Sequence, residues 1–487
     1  MARHEMLIDG KWVDSKRSIE VEDPSKGEIF DRVPAACDAD IEGAVQAANR
    51  AYPAWSRMSA EARAEVLTRA ASLAAERADE IARLMTREQG KPLNEARGEV
   101  LKGAEILRYY AEEGKRVYGR IVPGSGSDAS TTSYVTYEPV GVSVGISPWN
   151  YPIELVAWKL GAALAAGCTI VAKPPSLTPL SPLEFARCLA DAGAPPGVVN
   201  VVFGSGPEAG PLLIRHPLVK KVAFTGSTEV GLQVMRQCSE RMKKVSLELG
   251  GQCPLIVSKA CRLADAVKGA VRRSFRNMGQ ICIAINRIYV QQEVYSEFLD
   301  AFVSATARLT IANGLEKPDA DLGPMANRAG REKTMRHVAD AVEKGARVAF
   351  GGHPPEGKAF EKGYFYLPTI LTEVTHGMLV MSEETFGPVV GVMPYRSIDE
   401  AIEYANSTPY GLAAYAYTED LGETDELCSR LHAGNVAINN PDAGVINAPY
   451  GGFKESGLGY EHGPEGLSQY LVAKHVRIRF SNRTRSR

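Results

Sequence analysis

Residues 141–176 read GVSVGISPWNYPIELVAWKLGAALAAGCTIVAKPPS, and this stretch decides the fold. Gly141 to Ser147 is typical of a buried strand, Leu155 to Ala166 of a helix, and Thr169 to Lys173 of a second strand that two prolines end. A strand, a helix and a strand in this order predict parallel strands joined by a right-handed crossover.

The same alternation continues along the chain after residue 176, whereas residues 40–118 are predicted to be helical. Further strands are predicted at Val198–Phe203, which a Gly-Ser-Gly turn ends, and at Val219–Phe224, which a helix from about Glu229 follows. After Gly251 the alternation resumes, with strands near 254–257, 347–350, 389–394 and 434–438. We therefore expect an α/β protein with two doubly wound parallel sheets, whose ligands lie at the carboxyl ends of the strands.

Two segments depart from this pattern. Residues 119–137 carry a Gly-Ser stretch and then an alternating β-branched run, which predicts a hairpin. Val472 to Phe480 alternates apolar and basic residues, as an exposed strand does. We expect it to pair with the hairpin or with another subunit, and we expect the basic residues 481–487 to form a solvated tail.

The bulk composition excludes several classes of protein. With 487 residues and a net charge of -2, the chain offers no electrostatic footprint for nucleic acid or an anionic membrane. Its longest apolar run, Leu160 to Ala172, is shorter than the roughly 20 residues that a membrane span needs. The eight cysteines and eight histidines show no metal-binding spacing. We expect a cytoplasmic protein with reduced thiols, no signal peptide and no metal.

Two residues indicate covalent catalysis. Cys282 follows a Gly-Gln turn with no histidine beside it, and Glu248 is a lone carboxylate in the run Leu247–Gly251. A thiol and an isolated acid predict acyl transfer through a thioester, in which the acid activates water. The alternatives are that Cys282 only packs in the core and that Glu248 forms a salt bridge with Lys243 or Lys244.

Two further segments suggest a binding site. Asn150 ends a strand between two prolines, so its amide either donates to an oxyanion or only forms a turn. The run Gly226–Gly231 opens a helix after a strand but lacks the Gly-x-Gly-x-x-Gly fingerprint. Its free amides and Ser227 suit a pyrophosphate, although ordinary helix capping explains them as well.

Together these segments resemble the aldehyde dehydrogenase superfamily, in its NAD(P)-dependent, non-acylating form, over nearly the whole chain. The matching motifs, in chain order, are Ser147–Asn150, Val171–Pro174, Phe224–Thr228, Leu247–Gly251, Gly279–Cys282, Glu383–Pro388 and Tyr450–Gly457. The resemblance implies that Cys282 attacks an aldehyde while the Asn150 side chain and the Cys282 backbone N–H hold the oxyanion. It implies that hydride then passes to a nicotinamide and that Glu248 activates water to release the acid. The presence of Glu248 favours hydrolysis over transfer to coenzyme A.

The resemblance also implies a cofactor site without metal. It places Lys173 on the adenosine ribose, Ser227 on the pyrophosphate, and Glu384 with Phe386 around the nicotinamide ribose. The other expected contacts are Ser147, Trp149, Ser176, Gly206, Gly210, Gly226 and Leu249. Many NAD-preferring members carry an acid where this chain has Ser176, and serine cannot repel a 2′-phosphate that Lys173 can attract. We therefore expect NADP to be accepted, with the alternative that Ser176 is only loop and NAD is used.

The domain boundaries follow from the resemblance. It implies a dinucleotide-binding domain over 1–118 and 138–250 and a catalytic domain over 251–452. Residues 119–137 and 453–487 are expected to form an oligomerisation arm of a homodimer or homotetramer.

The substrate is expected to be a small aldehyde, and the chain resembles the succinate-semialdehyde branch most. Arg276 matches an arginine of that branch that binds the substrate carboxylate; a second one is replaced by Trp158. Trp158, Ile281 and Ile283, with Phe453, would form a more apolar tunnel that suits an aromatic or longer aldehyde. Arg276 has a second interpretation, as part of a solvated helix stripe with Arg272 and Arg273.

Two other functions compete with a dehydrogenase. A thiol esterase could use Cys282 and Glu248 without a cofactor. A binding or structural protein built on the same fold would not need Cys282 or Glu248, and both are present.

Overall fold

The computed structural model describes residues 4–123 and 131–479. The predicted hairpin turn at 124–130 and the residues from 480 onward, with the basic tail, lie outside this part. Within it the strands are β1 (Met6–Ile8), β2 (Lys11–Val13), β3 (Ser18–Asp23), β4 (Glu28–Pro34), β5 (Arg120–Val122), β6 (Thr131–Pro139), β7 (Val142–Ile146), β8 (Thr169–Lys173), β9 (Val199–Val201), β10 (Val219–Thr225), β11 (Lys244–Glu248), β12 (Cys253–Val257), β13 (Ile285–Gln291), β14 (Arg347–Phe350), β15 (Thr369–Thr372), β16 (Val389–Tyr395), β17 (Tyr410–Gly411), β18 (Ala413–Tyr417), β19 (Asn435–Ile438), β20 (Phe453–Lys454), β21 (Gly457–Leu458) and β22 (Leu471–Arg479).

The helices cover the two faces of the large sheets. They are α1 (Asp38–Arg57), α2 (Ala60–Glu76), α3 (Ala78–Gln89), α4 (Leu93–Glu113), α5 (Pro152–Ala166), α6 (Leu180–Asp191), α7 (Gly206–Arg215), α8 (Thr228–Ser239), α9 (Leu263–Phe275), α10 (Tyr295–Thr306), α11 (Arg328–Glu343), α12 (Leu379–Ser382), α13 (Ile398–Asn406), α14 (Leu421–Arg430) and α15 (Gly463–Ser468). None of the helices within 4–123 and 131–479 is long and apolar enough to cross a membrane.

The first large sheet is formed mainly by the N-terminal half of the chain. Its spatial order is β2-β1-β9-β8-β7-β10-β11-β21. The five central strands are parallel, as the strand–helix alternation predicts, and the strands at both edges run antiparallel. Central strands that are buried on both faces read as continuous apolar runs, which is why the pattern at 141–176 could be recognised from sequence.

The second large sheet has the order β14-β15-β16-β13-β12-β18-β19. All its neighbouring strands are parallel except β14, which runs antiparallel at the edge. Each large sheet has its own hydrophobic core, and a small third cluster of Tyr151, Ile281 and Ala284 joins elements of the two. The fold class is therefore confirmed, and this third cluster marks where residues of the two halves meet.

The predicted arm is a separate three-stranded sheet, β22-β6-β5. The pairing of β22 with the hairpin strand β6 runs from Leu471 opposite Pro139 to Arg479 opposite Thr131. The boundary at 453 is wrong for this sheet, because β21 pairs with β11 of the first large sheet and β20 pairs with β17. The arm's last strand begins at Leu471, and the chain before it returns to the body of the protein.

Candidate active site

The loop after α9, which leads to Cys282, has an unusual backbone conformation. Asn277, Met278 and Gly279 have φ values of 49°, 58° and 66°. A Cβ on Gly279 would lie 2.3 Å from the Gly387 carbonyl oxygen, so glycine is required there. Left-handed residues other than glycine cost about 1–3 kcal/mol each, and they persist where surrounding contacts hold them, often at functional sites.

Gln280 supplies those surrounding contacts. Its Oε1 accepts from the Ala326 N–H at 3.0 Å, and its Nε2 donates to the Asn277 carbonyl at 3.0 Å. Its own carbonyl accepts from Asn150 Nδ2 at 3.0 Å. Hydrogen bonds therefore hold the loop 276–282, the nucleophile loop, in its conformation and connect it to the segment that carries Asn150.

Cys282 is half-buried, and all eight cysteines are free thiols. Burial raises the pKa of the Cys282 thiol to about 12, and the Tyr450 hydroxyl, 3.6 Å from Sγ, acts in the opposite direction. In the free enzyme, desolvation of the sulfur therefore outweighs the effect of the Tyr450 hydroxyl on the pKa of Cys282.

Asn150 is held by its backbone and keeps its side chain near the loop. Lys91 Nζ and Asn277 Nδ2 donate to its backbone carbonyl at 2.8 and 3.0 Å. Its Oδ1 is buried and accepts no hydrogen bond from any described residue. Asn150 lies in the turn after β7, as the turn interpretation predicted. Its side-chain amide also faces the nucleophile loop.

Glu248, at the end of β11, is 4% exposed. Neither of its carboxyl oxygens has a hydrogen-bond partner in the described part of the chain. Burial first, and then the nearby charge of Glu461, hold the pKa of Glu248 well above its usual value. The salt-bridge alternative is wrong: Lys243 donates to the His216 and Val219 carbonyls, and Lys244 to that of Leu471.

A buried ion pair that sequence reasoning missed lies beside Glu248. Lys159 Nζ is 2.8 Å from Glu461 Oε1 and donates to Thr225 Oγ1 at 2.7 Å. The positive charge of Lys159 lowers the pKa of Glu248, which partly opposes the effect of Glu461. The sequence did contain a signal for this ion pair: Lys159 lies inside the apolar run of α5, and a buried ammonium group needs a partner.

Three aromatic rings form one wall of the site. Trp158 stacks on His462 at 3.6 Å between centroids, and His462 stacks on Tyr450 at 4.7 Å. Burial lowers the pKa of His462 to about 3, so this ring is neutral, and its Nδ1 lies 3.1 Å from the Val445 carbonyl. The sequence predicted Trp158 here and gave no role to Tyr450 or His462.

One cavity of about 450 Å³ brings most of the predicted residues together. Its lining includes Asn150, Trp158, Glu248, Arg276, Ile281, Cys282 and Ile283, with Tyr450, Glu461 and His462. Phe453 is the exception among the described residues proposed for the substrate: it is 50% exposed on β20, opposite Gly411. Its placement in the tunnel is corrected, because the strand pairing of β20 turns this segment away to the surface.

Arg276 does not belong to a solvated stripe. Its Nε lies 2.9 Å from Glu95 Oε1, which also accepts from the Tyr151 hydroxyl at 2.9 Å. The neighbouring Arg273 is buried and bonded to the Pro441 carbonyl, while Arg272 pairs with an aspartate at the surface. Arg276 is therefore a fixed, half-buried cation on the cavity wall.

The residues predicted to bind a dinucleotide surround open space and include polar groups without a hydrogen-bond partner among the described residues. Ser227 caps α8 by accepting a hydrogen bond from the Val230 N–H. The other backbone N–H groups of the first helical turn point out of the helix and have no partner within it. A Cβ added at Gly206 or Gly210 on α7 would meet no atom within 4 Å, so packing does not require glycine at these positions. A Cβ at Gly226 would lie 2.4 Å from the Phe224 ring.

Lys173 and Ser147 add polar groups that lack strong partners. Lys173 Nζ makes only a 3.4 Å contact with the Pro174 carbonyl among described residues, and burial lowers its pKa to about 8. The Ser147 hydroxyl is buried with no partner in the part of the chain that is described. Ser176 donates to the Gly204 carbonyl at 3.1 Å. Unpaired buried polar groups of this kind indicate a site for a polar ligand.

A third group lies at the other end of this region. Glu384 Oε1 accepts from the Gly251 N–H at 3.0 Å, and burial raises the pKa of its carboxyl to about 7. Phe386, at a φ of 56°, packs edge-on against Trp149 with centroids 5.4 Å apart. Leu249 is buried against Gly231, where a Cβ would lie 2.4 Å from Leu249. These residues fit a dinucleotide, while no group of three or more potential metal ligands occurs among residues 4–123 and 131–479.

Comparison with known proteins supports this chemistry. A sequence model of the Aldehyde dehydrogenase family matches residues 12–476. The chain is 44% identical to the NADP(+) succinate-semialdehyde dehydrogenase GabD of Escherichia coli over 98% of both chains. It is 43% identical to the 3-sulfolactaldehyde dehydrogenase of Pseudomonas putida, covering 98% of this chain and 97% of that one.

Solved structures agree with the sequence comparison. An Escherichia coli NADP dependent enzyme superposes with a TM-score of 0.95 at 43% identity, covering 98% of both chains. Betaine aldehyde dehydrogenase of Staphylococcus aureus, solved with NAD+, gives 0.95 at 33% identity over 99% of this chain and 95% of that one. The chain therefore belongs to the aldehyde dehydrogenase family, and the protein is an NAD(P)-dependent oxidoreductase.

Proposed function

We propose that the protein oxidises aldehydes that carry a distal anionic group to the corresponding carboxylic acids, with Cys282 as the nucleophile. The observation that carries this proposal is one cavity that joins Cys282, Glu248 and Asn150 to the fixed cation Arg276. Two of the relatives named above, the succinate-semialdehyde and the 3-sulfolactaldehyde dehydrogenases, are named for aldehydes with a carboxylate or a sulfonate, which supports an anionic substrate here.

The first half of the reaction belongs to Cys282 and Asn150. The Cys282 thiol first loses its proton to solvent; the sulfur then adds to the aldehyde carbon, and the carbonyl oxygen becomes an oxyanion. Asn150 Nδ2 and the Cys282 backbone N–H would donate to that oxyanion, because preorganised donors stabilise charge where it develops. Lys173, Ser176, Gly226, Ser227, Glu384 and Phe386 would hold a nicotinamide dinucleotide, which when bound accepts the hydride and leaves a thioester on Cys282.

Glu248 carries the second half. Burial raises the pKa of Glu248, so its carboxylate, once ionised, is a stronger base than an ordinary glutamate and can take a proton from water. The hydroxide equivalent attacks the thioester, the carbon–sulfur bond breaks, and the acid leaves. The pair Lys159–Glu461 beside Glu248 sets how readily its carboxyl ionises.

The role of Cys282 is tested by replacing it with serine, with Cys253→Ser as the matched control at a second buried cysteine near the site. We expect cofactor reduction to vanish in the first variant and to persist in the second. Persistent reduction in Cys282→Ser would refute the mechanism. Hydrolysis of an ester without any cofactor, together with no cofactor reduction on adding an aldehyde to the wild type, would instead favour the thiol esterase.

The role of Arg276 is tested by comparing a semialdehyde with a neutral aldehyde of equal length. A hydrogen bond to a charged group contributes about 1.5–3 kcal/mol, so Arg276→Ala should lower kcat/KM for the semialdehyde about 10- to 150-fold. The neutral aldehyde should change little, and Arg272→Ala is the control because it removes a more exposed cation from the same cavity. Equal losses on both substrates would exclude a carboxylate role and favour the aromatic wall as the substrate determinant.

For the cofactor, we propose that NADP is accepted. Ser176 has no charge to repel a 2′-phosphate, and Lys173 Nζ lacks a strong partner among the described residues. Because the pKa of Lys173 is about 8, its charge should be lost as pH rises through that value. The KM for NADP should therefore rise above about pH 8 more than that for NAD, and a parallel rise for both would contradict this role.

For the assembly, we propose a homodimer or homotetramer formed through the arm. Within the described residues, the sheet β22-β6-β5 pairs with neither large sheet and exposes apolar side chains, Ile121 being 79% exposed. Exposed apolar side chains on a small separate sheet are typical of an interaction surface. Sedimentation velocity measures the state directly, and a monomer at micromolar concentration would refute the proposal.

A further inference from the structure

Tyr450 is fixed beside the nucleophile by both its backbone and its ring. Its N–H donates to the Glu461 carbonyl at 2.9 Å, and its own carbonyl accepts from the Glu461 N–H at 2.8 Å. Its ring stacks on His462, which in turn stacks on the buried Trp158. The side chain therefore has little freedom to rotate, and the position of its hydroxyl is set by the fold.

That hydroxyl points at the reactive sulfur. Its oxygen lies 3.6 Å from Cys282 Sγ, within hydrogen-bond range for sulfur, and the contact is its one hydrogen bond among the described residues. The other titratable groups around the sulfur and the hydroxyl are Glu248, Cys253, Glu384 and Tyr415. When ionised, each of these would add negative charge near the sulfur, so none of them can stabilise a thiolate.

We propose that the Tyr450 hydroxyl is a catalytic hydrogen-bond donor to the Cys282 sulfur, taking the place of the histidine that other thiol enzymes use to stabilise the thiolate. The inference rests on the proposed role of Cys282 as nucleophile. Before attack, the O–H donates to the deprotonated sulfur. When the carbon–sulfur bond of the thioester breaks, the electron pair stays on Sγ and the same O–H donates to it again, so the hydroxyl assists at both ends of the cycle.

The test is Tyr450→Phe in the full-length protein, because phenylalanine keeps the ring and its stack on His462 and removes only the hydroxyl. The rate of Cys282 alkylation by iodoacetamide is followed from about pH 6 to about pH 10 by mass spectrometry of the labelled peptide. The exposed Cys37 and Cys428 serve as internal controls for reagent and pH in the same sample.

We expect alkylation of Cys282 to be about tenfold slower in Tyr450→Phe than in the wild type throughout this pH range, which corresponds to a rise of about one unit in the apparent pKa of the thiol. Cys37 and Cys428 should react as in the wild type. The matched variant Tyr415→Phe removes a nearby hydroxyl that donates to the Ile283 carbonyl, and it should leave the Cys282 profile in place.

Superimposable Cys282 profiles for the wild type and Tyr450→Phe would overturn the proposal, as would an equal shift in Tyr415→Phe. A purely structural role for the tyrosine ring predicts the first of these results. Failure of the proposed function has a different signature, since it appears as turnover that survives Cys282→Ser whatever the alkylation profiles show.

Discussion

Replacing Glu248 with glutamine should separate the two halves of the reaction. The amide has nearly the same shape as the carboxyl group, and neither oxygen of Glu248 is hydrogen-bonded within the described chain, so the variant loses no contact there. What it loses is the ability to accept a proton from water. Acylation of Cys282 should proceed, and hydrolysis of the thioester should become slow.

The magnitude follows from general-base catalysis, which contributes about 10²- to 10⁴-fold to a rate, or about 2.7–5.4 kcal/mol of transition-state stabilisation. Steady-state turnover in Glu248→Gln should fall by about that factor. The stability effect has a defined sign. Burial raises the pKa of Glu248, so the unfolded chain releases this proton first and the wild type loses stability as pH rises from the ordinary glutamate value to the raised one. Because glutamine does not ionise, the Glu248→Gln variant should not lose this stability as pH rises.

The assay is rapid mixing of enzyme, aldehyde and NAD(P) with detection of the reduced cofactor. We expect a burst of about one equivalent per Cys282, followed by the slow phase, and no burst in Cys282→Ser. In thermal melting at pH 5 and pH 8, the melting temperature of Glu248→Gln relative to that of the wild type should be higher at pH 8 than at pH 5. Linear turnover at the wild-type rate would refute the role of Glu248, and an unchanged difference between the two melting temperatures would refute its buried, unpaired state.

Three further predictions follow from the same contacts. Glu461→Gln removes a negative charge that raises the pKa of Glu248, so the pH profile of thioester hydrolysis, measured by single-turnover kinetics, should move toward acid; an alkaline shift would contradict the coupling. Ser176→Asp places a carboxylate at the site proposed for the 2′-phosphate, and it should lower kcat/KM for NADP about tenfold or more while leaving NAD nearly unchanged. Ile121→Lys charges the exposed face of the arm, and sedimentation velocity should show a smaller assembly; an unchanged sedimentation coefficient would remove this face from the interface.

The central sheets could be predicted because their signal is local. β7 and β8 are largely apolar runs bounded by turn residues, and the α-helical crossover between them allows only the right-handed connection. The pairing of β22 with β6 could also be expected, since an alternating strand needs a partner. The position of β21 could not, because a two-residue strand has no periodicity and its place is set by contacts with β11, far away in sequence.

The site was predicted unevenly for a related reason. Cys282, Glu248 and Asn150 are unusual residue types in recognisable turns, so their chemistry is visible in a single segment. The partners of Lys159 and Tyr450 are not, because each depends on residue pairs more than a hundred positions apart. The expected salt bridge of Glu248 failed because a strand rises about 3.3 Å per residue, so Lys244, four residues away on the same face of β11, lies about 13 Å along the strand.

The return of the chain from the second sheet to the first has a consequence for biosynthesis. Tyr450, Glu461 and β21, which lies beside the Glu248 end of β11, all come from the last part of the chain. A nascent chain that has reached residue 440 already contains Cys282 and both large sheets but lacks the wall and the edge strand that complete the cavity. Domains fold from the N-terminus during synthesis, so Cys282 lacks the cavity wall formed by Tyr450 and Glu461 until the last part of the chain has been made.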